Sequence, residues 1–232
     1  MKNIVVYIHG KHGSAQEASH YGSLFADCDV VGFDYKAKTP WEAKEEFPPY
    51  FDAVFKKYDS AMLVANSIGA FFAMHALTDA PIKKAFFISP VVNMENLIAN
   101  MMAQANVSEK ELREKGEPDT SYGEKLSWKY LCYVRQNPIY WTAPTHILYG
   151  KNDDLTPFET VCEFANKTGA TLTVMKNGEH RFHTKEQMRF LDNLDTALRP
   201  GKHEKPRGKL RHQVKFGPYL GIEANLCLPS QP

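Results

Sequence analysis

The 232-residue chain is short of most features that would mark a specialised class of protein. No apolar run approaches the ~20 residues that a membrane-spanning helix needs, so no span is expected. Cysteine is scarce: Cys28, Cys132, Cys162 and Cys227 are scattered, with no CxxC pair. That spacing supplies neither a disulfide framework nor a zinc site, and it fits buried free thiols in a reducing cytoplasm. Net charge is scarce too, and the formal value of +1 gives no electrostatic reason to expect nucleic acid or an anionic membrane as a partner. Phosphate-loop and dinucleotide fingerprints are absent, so no cofactor and no metal are expected. The opening MKNIVVYIHG carries one lysine and no cleavage site, and reads as a first strand rather than a signal peptide.

What remains is ordinary globular composition, 43% hydrophobic and 24% charged. The charge is uneven. Residues 199–232 hold seven Lys or Arg against two Glu, a local +5, which leaves residues 1–198 at −4. That last segment is rich in Gly, Pro and basic residues without periodicity, and is expected to be a poorly ordered tail.

Along residues 1–198 β-branched runs alternate with helix starts. Ile4 to Ile8, Asp29 to Phe33, Met62 to Ala65, KKAFFIS, HILYG and TLTVM read as six strands. Helix signals follow them: Ser14 with Glu17, Thr39 with Pro40 and Glu42, Thr156 with Pro157 and Glu159, and Thr184 with Gln187. Strands apolar on both faces and alternating with amphipathic helices predict an α/β fold, a doubly wound and mostly parallel six-stranded sheet. Its ligand site is expected at the carboxyl ends of the strands. About fifty residues separate the fourth and fifth strands. Met94, Leu97, Ile98, Met101 and Met102 share one helical face there, Ser108 and Glu111 open a second helix, and KLSWKYLCYVRQ reads as a third. These predict a helical cap, about residues 93–140, at the active-site end of the sheet.

The stretch SAMLVANSIGAFFAMHAL brings an apolar strand to Ser67 and starts a helix at once. Serine there has two readings. It is a helix cap, or it is a nucleophile on a sharp strand-to-helix turn that needs small residues two before and two after it, as Ala65 and Gly69 are. The pattern ANSIG resembles the G-x-S-x-G elbow of the α/β-hydrolases, with Ala65 in place of the first glycine. LYGKNDDLTP resembles that family's acid loop and KNGEHRFHT its histidine loop, in the family's chain order of Ser, acid, His. The resemblance covers about residues 3–198, which look like a small member of the family that begins at the strand carrying the oxyanion loop.

The resemblance implies a Ser67–His180–Asp153 triad. Asp154 lies two residues before Thr156, where helix-terminal electrostatics already account for it, and His183 directly precedes Thr184, where the positive helix end disfavours a protonated base. It also implies an oxyanion hole from the backbone N–H groups of Ile68 and Lys11, with His12 as the near alternative. The activity implied is cleavage of a carboxylic ester, in the manner of a carboxylesterase, with a small-molecule acyl substrate. A thioesterase, or a binding module with a dormant triad, keeps the same fold. His12, Met94, Met101 and Trp128 are candidates for the substrate pocket, although the methionine stripe reads more readily as the face that packs the cap onto the sheet.

Overall fold

The computed structural model describes residues 3–121, 123 and 125–193, together with the backbone of 214–216. Six strands stand where the apolar runs predict them: β1 (Asn3–Ile8), β2 (Cys28–Phe33), β3 (Ala61–Asn66), β4 (Ile82–Ile88), β5 (Thr145–Gly150) and β6 (Thr171–Met175). All pair in parallel in the order β2-β1-β3-β4-β5-β6. A short seventh strand, β7 (Val214–Phe216), extends the sheet beyond β6. Three residues within a Gly- and Pro-rich basic stretch are too few to carry a strand period, which is why the sequence does not announce it. The rest of residues 199–232, and the expectation of a poorly ordered tail, lie outside the described residues.

The helices are α1 (Pro40–Phe55), α2 (Ile68–Ala76), α3 (Met94–Gln104), α4 (Glu109–Lys115), α5 (Trp128–Gln136), α6 (Phe158–Thr168) and α7 (Lys185–Asn193), with a 3-10 helix at Ala15–Gly22 after β1. The twofold alternation of strand side chains divides the core. Ile4, Val6 and Ile8 of β1 join one cluster with Phe47 and Phe51 of α1, Phe71 and Phe72 of α2, and residues of α3 to α6. Val5 and Tyr7 turn to the other face, where Ala18 and Tyr21 of the 3-10 helix and Leu191 of α7 cover them. β3 and β5 are buried almost throughout, as the interior strands of a parallel sheet must be.

Two of the four paired helix-start signals work as read. Thr39 accepts from the N–H of Glu42 at 3.3 Å and the Glu42 carboxylate accepts from the N–H of Thr39 at 3.0 Å. Thr184 and Gln187 make the same exchange at 3.2 and 3.3 Å. The other two do not. Ser14 makes no side-chain cap bond, and Glu17 accepts instead from the Tyr7 hydroxyl of β1, on the sheet face that the 3-10 helix covers. Pro157 occupies the cap position of α6, so Thr156 lies one residue outside the helix start.

The three insertion helices form where the pattern places them, with Asn93, Ser108 and Ser127 as their caps. The third of them packs beside α1 and α2: Trp41 of α1 meets Tyr130 and Tyr133 of α5 edge-on, and His75 of α2 also contacts Tyr133.

Candidate active site

At the carboxyl end of β3 the chain turns through Ser67 into α2. Ser67 has φ 50° and ψ −120°, a region that non-glycine residues avoid, and its side chain makes no cap bond to the helix it precedes. The turn is held by the N–H of Ser67 donating to the carbonyl of Ile88 at 3.0 Å, and by the N–H of Val91 donating to the carbonyl of Ser67 at 3.2 Å. Gly69 explains the small residue two places on. A Cβ there would lie 2.3 Å from the carbonyl oxygen of His9 and 2.9 Å from that of Ile8, so only glycine lets α2 start this close to the end of β1. Ala65, two places before, is fully buried.

The hydroxyl freed from capping meets a histidine. Ser67 Oγ lies 2.8 Å from His180 Nε2, and His180 Nδ1 lies 2.8 Å from Asp153 Oδ2. An ionised carboxylate only accepts, so Nδ1–H donates to Asp153 and Nε2 is left as the acceptor for the serine O–H. Asp153 is itself fixed, its other oxygen accepting from the N–H groups of Leu155 at 2.9 Å and Thr156 at 3.0 Å. Its side chain is fully buried and that of His180 is 14% exposed, so this pair is shielded from bulk water.

Asp153 and His180 come from different loops, and a backbone contact brings them together. Gly150 at the end of β5 and Gly178 after β6 face each other so closely that a Cβ on Gly178 would sit 2.8 Å from the Cα of Gly150. The N–H of Asn152 then donates to the carbonyl of Gly178 at 2.8 Å and that of Lys151 to the carbonyl of Met175 at 2.9 Å. The alternatives weighed from the sequence fall elsewhere. Asp154 is exposed. His183 has a side chain 63% exposed, 3.7 Å from Glu179, and its N–H donates to Gln187.

Gly10 to Gly13 form a turn closed by the N–H of Gly13 to the carbonyl of Gly10 at 3.1 Å, with His12 at φ 64°. This turn borders Ser67, since a Cβ on Gly10 would lie 3.3 Å from the serine Cβ. Beneath it runs a polar chain that the sequence did not reveal. The Asn66 amide donates to the Tyr7 hydroxyl at 2.8 Å, which donates to Glu17. Burial, and next the neighbouring Tyr21 and the bond to Glu17, push the Tyr7 hydroxyl well above its ordinary pKa, so it stays protonated as a donor. The readable signal was a tyrosine at a core-facing strand position ten residues before a glutamate.

A cleft of about 720 Å³ opens over these groups. It is bordered by Gly10 to Gly13, by Asn66 and Ser67, by the 3-10 helix, and by His180 through Leu191. Lys11 and His12 line it. Ile68 contributes its backbone directly after Ser67, its side chain packing against the core. Met94, Met101 and Trp128 are not brought to this cleft. Met94 is buried and lines a separate hollow between the insertion and α6, whereas Met101 and Trp128 pack against the core. Among the described residues, none from 93–140 lines the cleft beside Ser67. The insertion helices bury their apolar stripes on one face of the sheet, and the cleft opens toward the other.

Strand order, the strained serine turn and the late acid and histidine loops define an α/β-hydrolase fold. Among solved structures, the chain is similar to mouse alpha/beta hydrolase domain-containing protein 10, with a TM-score of 0.65 and 16% identity over 84% of this chain and 88% of that one. Est1E from Butyrivibrio proteoclasticus is similar to the same degree, with a TM-score of 0.65 and 16% identity over 85% and 86%. In sequence, the chain is 23% identical over 145 residues to a Bos taurus protein named palmitoyl-protein thioesterase ABHD10, mitochondrial, covering 56% of this chain and 47% of that protein. The match thus spans about half the length of the curated relatives. No family model matches the chain. No helix among the described residues is long and apolar enough to cross a membrane.

Proposed function

We propose that the protein is a serine hydrolase that cleaves a carboxylic ester or related acyl bond of a small-molecule substrate through an acyl-enzyme. One observation carries the reading: Ser67, at φ 50° and without a capping bond, reaches His180 at 2.8 Å, and His180 reaches the buried Asp153 at 2.8 Å. A serine that only started a helix would spend its hydroxyl on the helix N–H groups and would need no disfavoured backbone.

In this reading Ser67 Oγ attacks the acyl carbon while its proton passes to His180 Nε2. The C–O or C–S bond to the leaving group then breaks, and the leaving group takes that proton. Water, deprotonated by His180, attacks the acyl-enzyme, and Ser67 is restored as the carboxylic acid departs. Asp153 fixes the imidazole tautomer and stabilises the imidazolium. The N–H groups of Ile68 and Lys11 (or His12) stabilise the tetrahedral oxyanion. A carboxylesterase is the principal reading, and a thioesterase the second, favoured by the printed name of the bovine relative. The cysteines are scattered and form no CxxC pair, which suits a reducing compartment and supports a cytoplasmic setting.

Labelling with a fluorophosphonate followed by peptide mass mapping tests the reading without a guess at the substrate. The expected result is an adduct on Ser67 that is lost in both Ser67→Ala and His180→Ala. A folded protein that takes no label would overturn it and favour a ligand-binding module on the same fold.

A further inference from the structure

The lining of the Ser67 cleft carries a charge pattern opposite to that of the main body. Residues 1–198 sum to −4, with 25 acidic against 21 basic side chains. The cleft is lined by Lys11, Arg181 and four histidines (His12, His20, His180 and His183), and among the described residues Glu17 is its single acidic lining residue. Four of the seven histidines in residues 1–198 therefore border this one cavity.

The polar groups there are not equally committed. Glu17 accepts from the Tyr7 hydroxyl, His20 is held by Asp192 at 2.8 Å, and His183 lies 3.7 Å from Glu179. Arg181, directly after His180 and exposed at the cleft wall, makes no ion pair with any described residue. A guanidinium cannot be neutralised at working pH, and its planar donors match a carboxylate or phosphate. Lys11, on the turn that borders Ser67, lines the same cleft. Ile88, Phe182, Met188 and Leu191 add apolar lining to the cavity. With Lys11 and Arg181 against Glu17 the lining is net positive, and a concave site of net positive charge beside an apolar wall concentrates anionic ligands.

We propose that the substrate is an anionic acyl ester or thioester. Its hydrocarbon part lies against Ile88, Met188 and Leu191, and its carboxylate or phosphate pairs with Arg181, so that Arg181 determines specificity for the reaction proposed above. The anion resides either on the acyl group or on the leaving group, and the two cases separate by experiment.

The test compares kcat/KM for matched esters with wild type, Arg181→Gln and Arg181→Lys. One pair is an aryl butyrate and the aryl glutarate hemiester, which puts the charge on the acyl side. The other is phenyl acetate with a para carboxamide or a para carboxylate, which puts it on the leaving group. The expected result is a preference for the charged member of one pair. Arg181→Gln should cut that preference about tenfold, the loss of one charge-assisted hydrogen bond, and Arg181→Lys should recover part of it. In wild type alone, raising the salt should weaken the preference, which keeps the test open if the variant does not fold. Equal kcat/KM within both pairs, or a preference that survives Arg181→Gln, overturns the proposal. Fluorophosphonate labelling of Ser67 keeps the two readings apart: a wild type that labels but ignores charge loses only the anionic substrate, and one that fails to label loses the hydrolase itself.

Discussion

The two faces of the sheet are built for different ends. One is thick: α1, α2, α6 and the whole insertion stack on it, and its core holds Phe33, Phe47, Phe51, Phe71, Phe72 and Phe87, all buried. The other is thin, with Val5, Tyr7, Met62, Val64, Phe86 and Ile88 covered by the 3-10 helix and α7. The cleft beside Ser67 opens on the thin side, bordered by those same two elements. Apolar burial is thereby concentrated away from the cleft, and strain and polar networks are left where the sheet is lightly covered. A close-packed aromatic layer resists small displacements, so it suits a support rather than a moving wall.

That division fails first at Ser67 if it is wrong. Replacing Ser67 with glycine should abolish acyl transfer, a loss of about 10⁴–10⁶ in kcat/KM, while relieving the positive φ and raising the unfolding free energy by about 1 kcal/mol. Chemical denaturation alongside an ester assay reads both signs, and a glycine variant less stable than wild type would show that the turn is not strained. The converse belongs to the thick face. Phe47→Ala should cost about 3–5 kcal/mol of stability and leave kcat/KM within about twofold at temperatures where the protein stays folded.

A pH effect sharpens the contrast further. His75, buried on the thick face against Phe71 and Tyr133, has its pKa lowered to about 4, first by burial and then by Lys44. The unfolded chain takes up this proton below about pH 6.5 and the folded chain only near pH 4. Stability from this group is therefore present above pH 6.5 and lost as the pH falls to 4, by up to about 3 kcal/mol. His75→Phe should flatten that part of the acid-unfolding curve without altering activity at neutral pH. The smallest effect is expected at Met101. Met101→Ala should change ester turnover less than about twofold, and a larger drop would mean that the insertion reaches the substrate after all.

Much of this was legible because parallel strands buried on both faces read as unbroken apolar runs, and because the loops after β3, β5 and β6 carry distinctive residues. The insertion helices were equally readable from the stripe beginning at Met94. Their destination was not, since periodicity tells which side of a helix is buried and not which side of a sheet it covers. Glu17 misled for a similar reason. A serine three residues before a glutamate has the spacing of a capping box, and the sequence holds no sign that Tyr7 competes for the carboxylate. The contact of Gly150 with Gly178 was hidden because each glycine alone reads as an ordinary strand end.

The cleft walls come from opposite ends of the described chain: the 3-10 helix spans residues 15–22, and the other wall runs from His180 to Leu191. A hydrogen bond between His20 Nε2 and Asp192 Oδ1, at 2.8 Å, already ties the two. A molecule lodged between them acts as a non-covalent cross-link closing a loop of some 160 residues, and at a hundred times its dissociation constant it adds about 2.7 kcal/mol to the folded state. Occupancy of the site and cohesion of the whole domain are thus thermodynamically linked, so the protein with its cleft filled is also the sturdier one.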